Sequence, residues 1–168
     1  MSESFRTEPT AADAAKVAAL VAATGFFHAD EVRIARELVD ERIARGLASG
    51  YRFLFLDAAD GESLAGYSCY GPVDGTQRSW DLFWIAVAPE QQGRGLGRAL
   101  LRATEAAIAE LGGGLVWVET GGKALYESTR RFYEACGYVR EAELRDFYAP
   151  GDAKIVYLRE VPGACGPE

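Results

Sequence analysis

The chain has 168 residues, of which 49% are apolar, and its formal net charge is −7. This length fits one domain, and the composition excludes a disordered chain. The acidic balance argues against nucleic acid as a partner, because binding phosphates requires an excess of lysine and arginine. It suits a cationic partner such as a protonated amine, although such a charge also simply keeps a protein in solution.

The cysteines and the N-terminal residues bear on compartment and membrane association. Cys69, Cys136 and Cys165 follow no metal-binding spacing, so we expect reduced thiols, no metal and a cytoplasmic protein. Residues 1–10 are polar and lack the apolar stretch of a secretory signal. The longest apolar runs are too short to cross a bilayer, so we expect no membrane partner.

The first third of the chain predicts one short strand and two helices. Residues 5–7 are expected to form the strand, and an alanine-rich helix follows over 11–24 with Gly25 as its C-terminal cap. Asp30 is expected to cap a second helix, because apolar residues after it recur with a helical period up to Leu47.

Strands dominate the middle of the sequence. Residues 51–57 and 64–70 predict an antiparallel pair joined by the turn 58–61. The almost continuously apolar run 79–88 predicts a central strand covered on both faces, and Pro89 ends it.

The C-terminal half alternates helices and strands and then ends in a hairpin. The elements predicted there, in chain order, are a helix to Leu111, a strand at 115–119, a helix at 125–136 with Gly137 as its cap, and strands at 138–148 and 154–161. We therefore predict a single α/β domain over residues 1–168, with its core at about 4–161 and a loose C-terminal tail. Its sheet should be mixed, with helices on both faces.

The junction between the apolar strand and the third helix carries the strongest chemical signal. Gly93, Gly95 and Gly97 lie where the helix opens, and Arg94 and Arg98 add positive charge. Glycine allows a ligand to approach the backbone, and the first amides of a helix have no internal partner. Such a place suits a pyrophosphate, although a tight turn without a ligand explains the glycines too. The Rossmann and P-loop motifs are not matched.

Two segments resemble a known family. Val87-Ala88-Pro89-Glu90-Gln91-Gln92-Gly93-Arg94-Gly95-Leu96-Gly97 is similar to the signature of the GNAT superfamily of N-acetyltransferases, Gln/Arg-x-x-Gly-x-Gly/Ala after a strand. Arg131-Phe132-Tyr133-Glu134-Ala135-Cys136-Gly137-Tyr138 resembles the family's second conserved segment. The resemblance implies about seven strands in a mainly antiparallel sheet with a parallel central pair, flanked by about four helices.

The resemblance also implies acetyl-CoA as acyl donor. In the family, backbone amides of the glycine turn hold the pyrophosphate, and the strand before it pairs with the pantetheine arm and polarises the thioester. Carried over residue by residue, the cofactor-binding positions are Ile85, Ala86, Val87, Gln92, Gly93, Arg94, Gly95, Leu96, Gly97, Arg98, Thr129 and Phe132. The family often has other residue types at the positions of Tyr126 and Thr129.

The resemblance also indicates which residues could act as acid and base. Tyr133 matches the family tyrosine that protonates the departing thiolate. Glu119, at the end of an apolar strand beside Trp117, is the candidate base, because shielding raises the pKa of a carboxylate. A solvated glutamate with a water chain as the base is the alternative.

The acceptor is expected to be a primary amine on a small molecule or a peptide. The candidate substrate contacts are His28, Asp81, Asp146 and Tyr148. The alternative for His28 is a surface-loop histidine, and the alternative for Asp146 and Tyr148 is a plain hairpin turn. Homodimers are common in the family. Two rival functions stay open, namely another acyl-CoA donor and a CoA-binding regulatory module without turnover.

Overall fold

The structure, a computed structural model, describes residues 4–164, which contain four α-helices and six β-strands. The helices are α1 (Asp13–Ala23), α2 (Ala29–Arg45), α3 (Leu96–Glu110) and α4 (Glu127–Ala135). The strands are β1 (Arg52–Asp57), β2 (Leu64–Pro72), β3 (Ser79–Val87), β4 (Gly114–Gly121), β5 (Val139–Ala149) and β6 (Asp152–Val161). None of these helices combines the length and the apolar character that crossing a bilayer requires.

The strands form one mixed sheet in the order β1-β2-β3-β4-β6-β5. β3 and β4 are parallel, whereas β1 with β2, β4 with β6 and β5 with β6 are antiparallel. The predicted fold class is confirmed. Within the described residues the sheet has six strands rather than about seven, because Arg6 makes a single bridge to Phe55 and residues 5–7 form no strand.

Residues 4–164 divide into two compact units. The first unit comprises residues 4–71 and 83–107, and the second comprises residues 72–82 and 108–164. β3 therefore begins in the second unit and ends in the first. The single-domain organisation expected from the sequence stays a prediction.

The core of the first unit packs α1 and α2 against aromatic residues of β1 and β2. Val17 on α1 and Val39 on α2 are fully buried there. The rings of Phe53 and Phe55 stack with centroids 5.2 Å apart, and Tyr67 stacks on Phe53 at 6.4 Å. Aromatic side chains on adjacent positions of one sheet face give this hairpin a large apolar surface to bury.

The ends of the first two helices follow local rules, with one correction. Gly25, in the left-handed region at φ +75°, follows α1 as predicted. The N-cap of α2 is His28, so the prediction that Asp30 caps this helix is wrong. The Glu31 carboxylate accepts a hydrogen bond of 2.8 Å from the backbone N–H of His28. Glu31 lies three residues after the cap, where a carboxylate reaches that amide, and Asp30 lies inside the first turn.

β3 is central in the sheet but is not covered on both faces, contrary to the prediction. Phe83 is 42% exposed, whereas Ala86 is buried in the core of the first unit. The Phe83 ring contacts Tyr51 edge-on with the ring centroids 5.4 Å apart, and it lies beside Gly71. The sequence of an apolar strand does not show which face packs against the protein and which face is open to a ligand.

An ion-pair network ties the N-terminal segment to the first unit. The Arg6 guanidinium lies 2.8 Å from Asp13, whose side chain is fully buried, and 2.9 Å from Asp57 at the end of β1. Burial alone would raise the pKa of Asp13, but hydrogen bonds from Arg6 and from the Thr10 N–H lower it below its usual value. The Arg6 hydrogen bond also lowers the pKa of Asp57.

We expect Arg6→Met to reduce the free energy of unfolding by about 1.5–3 kcal/mol near neutral pH, because it leaves a buried carboxylate without its cation. Both aspartate pKa values are lowered by folding, so the stabilisation is present above the usual aspartate range and is lost as the pH falls through the lowered values. Urea unfolding at a series of pH values should therefore give a difference between variant and parent that shrinks in acid. Arg33→Met, which removes an exposed helical pair with Glu37, is the control. A loss that is equal at every pH would contradict the assignment.

The second unit packs α4 on one face of β4 and β6. Val116, Val118, Ile155 and Tyr157 alternate along these two strands and are buried. The ring of Tyr133 on α4 lies 6.0 Å from that of Tyr157, so α4 covers this face. β5 pairs with β6 as the outer strand, and its residues are exposed along nearly its whole length.

Candidate active site

The glycine turn of the first unit lies between β3 and α3. Gly93 and Gly95 have φ values of +76° and +80°, which residues with a side chain rarely adopt. A Cβ atom added to either one would meet nothing within 4 Å, so the backbone conformation, and not crowding, selects glycine here. The Gln92 side chain fixes the start of the turn, since its Nε2 donates to the Val87 carbonyl at 3.2 Å. The turn therefore has open space beside it.

The start of α3 presents backbone donors to that space. The Ala99 N–H donates to the Gly95 carbonyl at 3.0 Å and begins the helical ladder. The amides just before Ala99 have no carbonyl one turn earlier within the helix, and the helix dipole adds partial positive charge. Leu96 is buried and anchors the turn, whereas Arg94 and Arg98 are exposed. These features fit the pyrophosphate of a nucleotide-containing ligand.

The end of β3 leads directly into this turn. Ala86 is buried, and Ile85 and Val87 on either side of it are half-buried. The carbonyl oxygen of Ala86 lies 3.1 Å from the position of a Cβ on Gly66, so a glycine in β2 permits close packing against β3. Residues 85–98 thus lie together in the first unit, and their contacts with a cofactor stay a prediction.

Tyr133 lies in an aromatic cluster of the second unit. Its ring contacts Phe132 at 5.3 Å and Tyr138 at 5.6 Å, and the residue is 4% exposed. Burial raises the pKa of its hydroxyl, so the group stays protonated and can donate. Phe132 and Thr129, the two cofactor candidates on this helix, are half-buried.

Glu119 lies at the end of β4 and has a partner that the sequence did not predict. Its carboxylate forms an ion pair with Lys154, whose Nζ lies 2.8 Å away, and its side chain is 51% exposed. Lys154 Nζ lies 4.4 Å above the Phe147 ring, which is the geometry of a cation–π contact. Trp117, expected beside Glu119, donates its indole N–H to Ser79 Oγ at 3.1 Å. Glu119 is therefore half of an ion pair.

Asp81 on β3 joins this arrangement. Asp81 pairs in register with Trp117, and Glu119 follows two residues later, so all three side chains project from the same face. Burial and then the charge of Glu119 raise the pKa of Asp81, and Lys154 opposes them. Tyr133 lies on the other face of these strands, with Tyr157.

The other substrate candidates lie elsewhere. His28 is exposed at the start of α2 in the first unit. In the second unit Asp146 has φ +56°, and its Oδ1 accepts from the Gly151 N–H at 2.9 Å, which is a turn-forming contact. Tyr148 is exposed and contacts Phe147 edge-on at 5.1 Å. Their substrate contacts stay predictions.

Two of the three cysteines lie among residues 4–164. Cys69 and Cys136 are buried free thiols, and burial raises the pKa of Cys69 well above its usual value. Cys165 lies outside the described residues.

Lys154 is the residue that the sequence analysis missed. The signal available in the sequence was weak, because a lysine in an amphipathic strand normally marks a solvated face. Its contact with Glu119 depends on the pairing of β4 with β6, in which Lys154 lies opposite Gly121.

Comparison with known proteins agrees with this fold. The profile of the Acetyltransferase (GNAT) family matches residues 22–138, so this chain belongs to the GNAT acetyltransferase family. A GNAT-family protein from Desulfovibrio desulfuricans is 47% identical, with a TM-score of 0.91 over 94% of this chain and 98% of that one. The chain is therefore an acyltransferase. No curated protein sequence matches it.

More distant structures share the fold. An aminoglycoside 6'-N-acetyltransferase complexed with coenzyme A is 17% identical, with a TM-score of 0.70 over 98% of each chain. The ribosomal-protein-S18-alanine N-acetyltransferase from Escherichia coli is 20% identical, with a TM-score of 0.70 over 98% of this chain and 97% of that one.

Proposed function

We propose that this protein transfers the acetyl group of acetyl-CoA to a primary amine. The observation that carries the proposal is the turn after β3, where two left-handed glycines border open space at the start of a long helix. Membership of the GNAT family supports it, as does the coenzyme A bound by a protein of the same fold.

In this proposal the cofactor contacts follow the family. Backbone amides of residues 92–98 bind the pyrophosphate, with positive charge from Arg94 and Arg98 nearby. The backbone of residues 85–87 aligns the pantetheine arm and donates to the thioester carbonyl, which stabilises the negative charge that develops on its oxygen. Thr129 and Phe132 contribute further cofactor contacts.

The acid–base roles are also proposals. The amine must lose a proton before its lone pair can attack the thioester carbonyl carbon, and a carboxylate such as Glu119 takes that proton directly or through water. Tyr133, kept protonated by burial, donates to the sulfur as the C–S bond breaks.

We further propose a cationic acceptor and a cytoplasmic location. The net charge of −7 favours approach of a cation. Proteins of the same fold act on an aminoglycoside, on a ribosomal-protein alanine and on spermidine or spermine. Among the described residues Cys69 and Cys136 are free thiols, which agrees with a reducing compartment.

The first test is calorimetric titration with acetyl-CoA, followed by a thiol-release assay with spermidine, kanamycin, lysine and a peptide with an N-terminal alanine. We expect saturable binding, and CoA release that depends on one class of amine. Repeating the release assay with succinyl-CoA in place of acetyl-CoA shows which acyl donor the protein uses. Binding without release for any amine would favour a regulatory CoA-binding module, and absence of binding would overturn the proposal.

A further inference from the structure

Lys154 is one of only three lysines in the chain, the others being Lys16 and Lys123. Its side chain is 16% exposed, and its ammonium lies 2.8 Å from the Glu119 carboxylate. Lys123, in the same unit, forms a longer contact of 3.6 Å with Asp152, and its side chain is 53% exposed. Lys154 is therefore the more enclosed of these two lysines and has the closer carboxylate.

The pairing of β4 with β6 directs the Lys154 side chain toward Glu119. Lys154 lies opposite Gly121, and Glu119 lies two residues, or about 6.6 Å, before Gly121 on the same face of β4. The long lysine side chain reaches back along the sheet and ends in the ion pair. Strand register thus sets the position of this ammonium.

A bulge in β5 supplies the second contact of Lys154. Residues 145–148 of β5 oppose the single residue Ala153, so this stretch leaves the regular ladder. Phe147 belongs to the stretch, and the centre of its ring lies 4.4 Å from Lys154 Nζ. Bulges re-aim side chains and are frequent next to active sites. The Lys154 ammonium is therefore held between a carboxylate and an aromatic ring.

The proposed reaction gives this arrangement a chemical meaning. An acceptor amine has to lie beside the group that takes its proton, and Glu119 is the carboxylate proposed for that step. Lys154 already places a primary ammonium in contact with this carboxylate. The face of an aromatic ring is a further contact that a cationic acceptor gains. The chain thus offers an amine of its own where the reaction needs the amine of an acceptor.

We propose that Lys154 occupies the place of the acceptor ammonium, and that the protein acetylates this side chain when no acceptor is bound. The inference rests on the proposed amine acetylation. One proton of the ammonium leaves for the solvent, and the Nζ lone pair forms the C–N bond with the acetyl carbon. The C–S bond breaks, and the CoA thiolate takes the second N–H proton. The products are a neutral acetyl-lysine and the thiol of CoA, so charge and atoms balance.

Peptide mapping by mass spectrometry after incubation with acetyl-CoA alone tests the proposal. Spontaneous acetylation depends on access from solution, so it should modify the exposed Lys123 faster than Lys154. Self-acetylation predicts the reverse order, with Lys154 modified at least about 10-fold faster than Lys123. Its rate constant should not change with protein concentration, because the transfer occurs within one molecule. An unmodified Lys154, faster modification of Lys123, or a rate constant that rises with protein concentration would overturn the proposal.

Three variants provide the controls for this experiment. Lys154→Arg should lose the fast incorporation of one acetyl group, whereas Lys123→Arg should retain it. Gly95→Trp, which we expect to prevent acetyl-CoA from binding, should abolish the modification of Lys154 and leave the slow modification of Lys123 unchanged. Equal modification of Lys154 in the parent and in Gly95→Trp would show a spontaneous reaction and contradict self-acetylation.

Competition with an acceptor tests whether the two amines share one place. The panel amine that gives the fastest CoA release, at about ten times its KM, should slow the acetylation of Lys154 by about 10-fold. The slow modification of Lys123 should not respond to the amine. Undiminished acetylation of Lys154 would place this side chain outside the acceptor site and overturn the assignment.

A measurement without acetyl-CoA tests the geometry by itself. Labelling lysine with carbon-13 at Cε gives three NMR signals, which the three lysine-to-arginine variants assign. The Lys154 signal should carry a ring-current shift from Phe147 and lose it in Phe147→Leu, whereas the Lys16 and Lys123 signals should stay in place. A Lys154 signal that is unaffected by Phe147→Leu would contradict the enclosed ammonium on which the inference depends.

The outcomes separate this inference from the proposed function. If a panel amine is acetylated while Lys154 is not, the inference fails and the proposed function stands. If Lys154 is acetylated while every panel amine fails, the inference stands and the proposed acceptors are wrong.

Discussion

We expect Tyr133→Phe to lower kcat by about 10- to 1000-fold, because it removes the hydroxyl that we propose as proton donor to the departing thiolate. The change deletes one oxygen and leaves the ring that packs against Phe132, Tyr138 and Tyr157. Burial holds the hydroxyl in its protonated form in the parent, so the donor is present throughout the neutral pH range. Steady-state thiol release should show the loss in kcat, with nearly unchanged binding of acetyl-CoA by calorimetry.

Tyr138→Phe is the matched control for this substitution. Tyr138 is a buried tyrosine of the same cluster, 5.6 Å from Tyr133 between ring centroids, and it has no role in the proposed chemistry. Its loss should change stability more than kcat. If the two variants retain equal and near-parental kcat values, Tyr133 is a packing residue and the donor must be sought elsewhere.

We expect Gly95→Trp to weaken acetyl-CoA binding by at least about 100-fold. A Cβ atom added at Gly95 has no other atom within 4 Å. An indole projecting into this space would occupy the volume proposed for the pyrophosphate. The φ of +80° would also strain any side chain by about 1–3 kcal/mol and disturb the amides of the turn. Calorimetric titration measures the effect directly, without dependence on the acceptor.

The backbone strain in that variant needs its own control. Gly61, in the turn between β1 and β2 of the same unit, has φ +70° and likewise has nothing within 4 Å of an added Cβ. Gly61→Trp should therefore cost comparable stability and leave binding unchanged. Normal acetyl-CoA affinity in Gly95→Trp, with both variants folded, would refute the proposed pyrophosphate site.

Local patterns in the sequence determined most elements of this fold. Helical periodicity predicted α1, α2 and α3 to within a few residues, and the turn around Gly61 predicted the β1–β2 pair. The glycine turn could also be predicted from the sequence, because the left-handed backbone at Gly93 and Gly95 favours glycine. Each of these features depends on neighbours in the chain, so local chemistry was sufficient.

Contacts between distant strands were decided by the tertiary structure alone. The pairing of Glu119 with Lys154, and the position of Asp81 on the same face, depend on the register of β3, β4 and β6. A shift of one residue in that register would turn each side chain to the opposite face, and no local signal specifies the shift. The exposure of Phe83 has the same origin, since an apolar strand does not reveal which of its faces is covered. The sequence therefore determined the class of chemistry, and the packing of strands decided which charged groups lie next to one another.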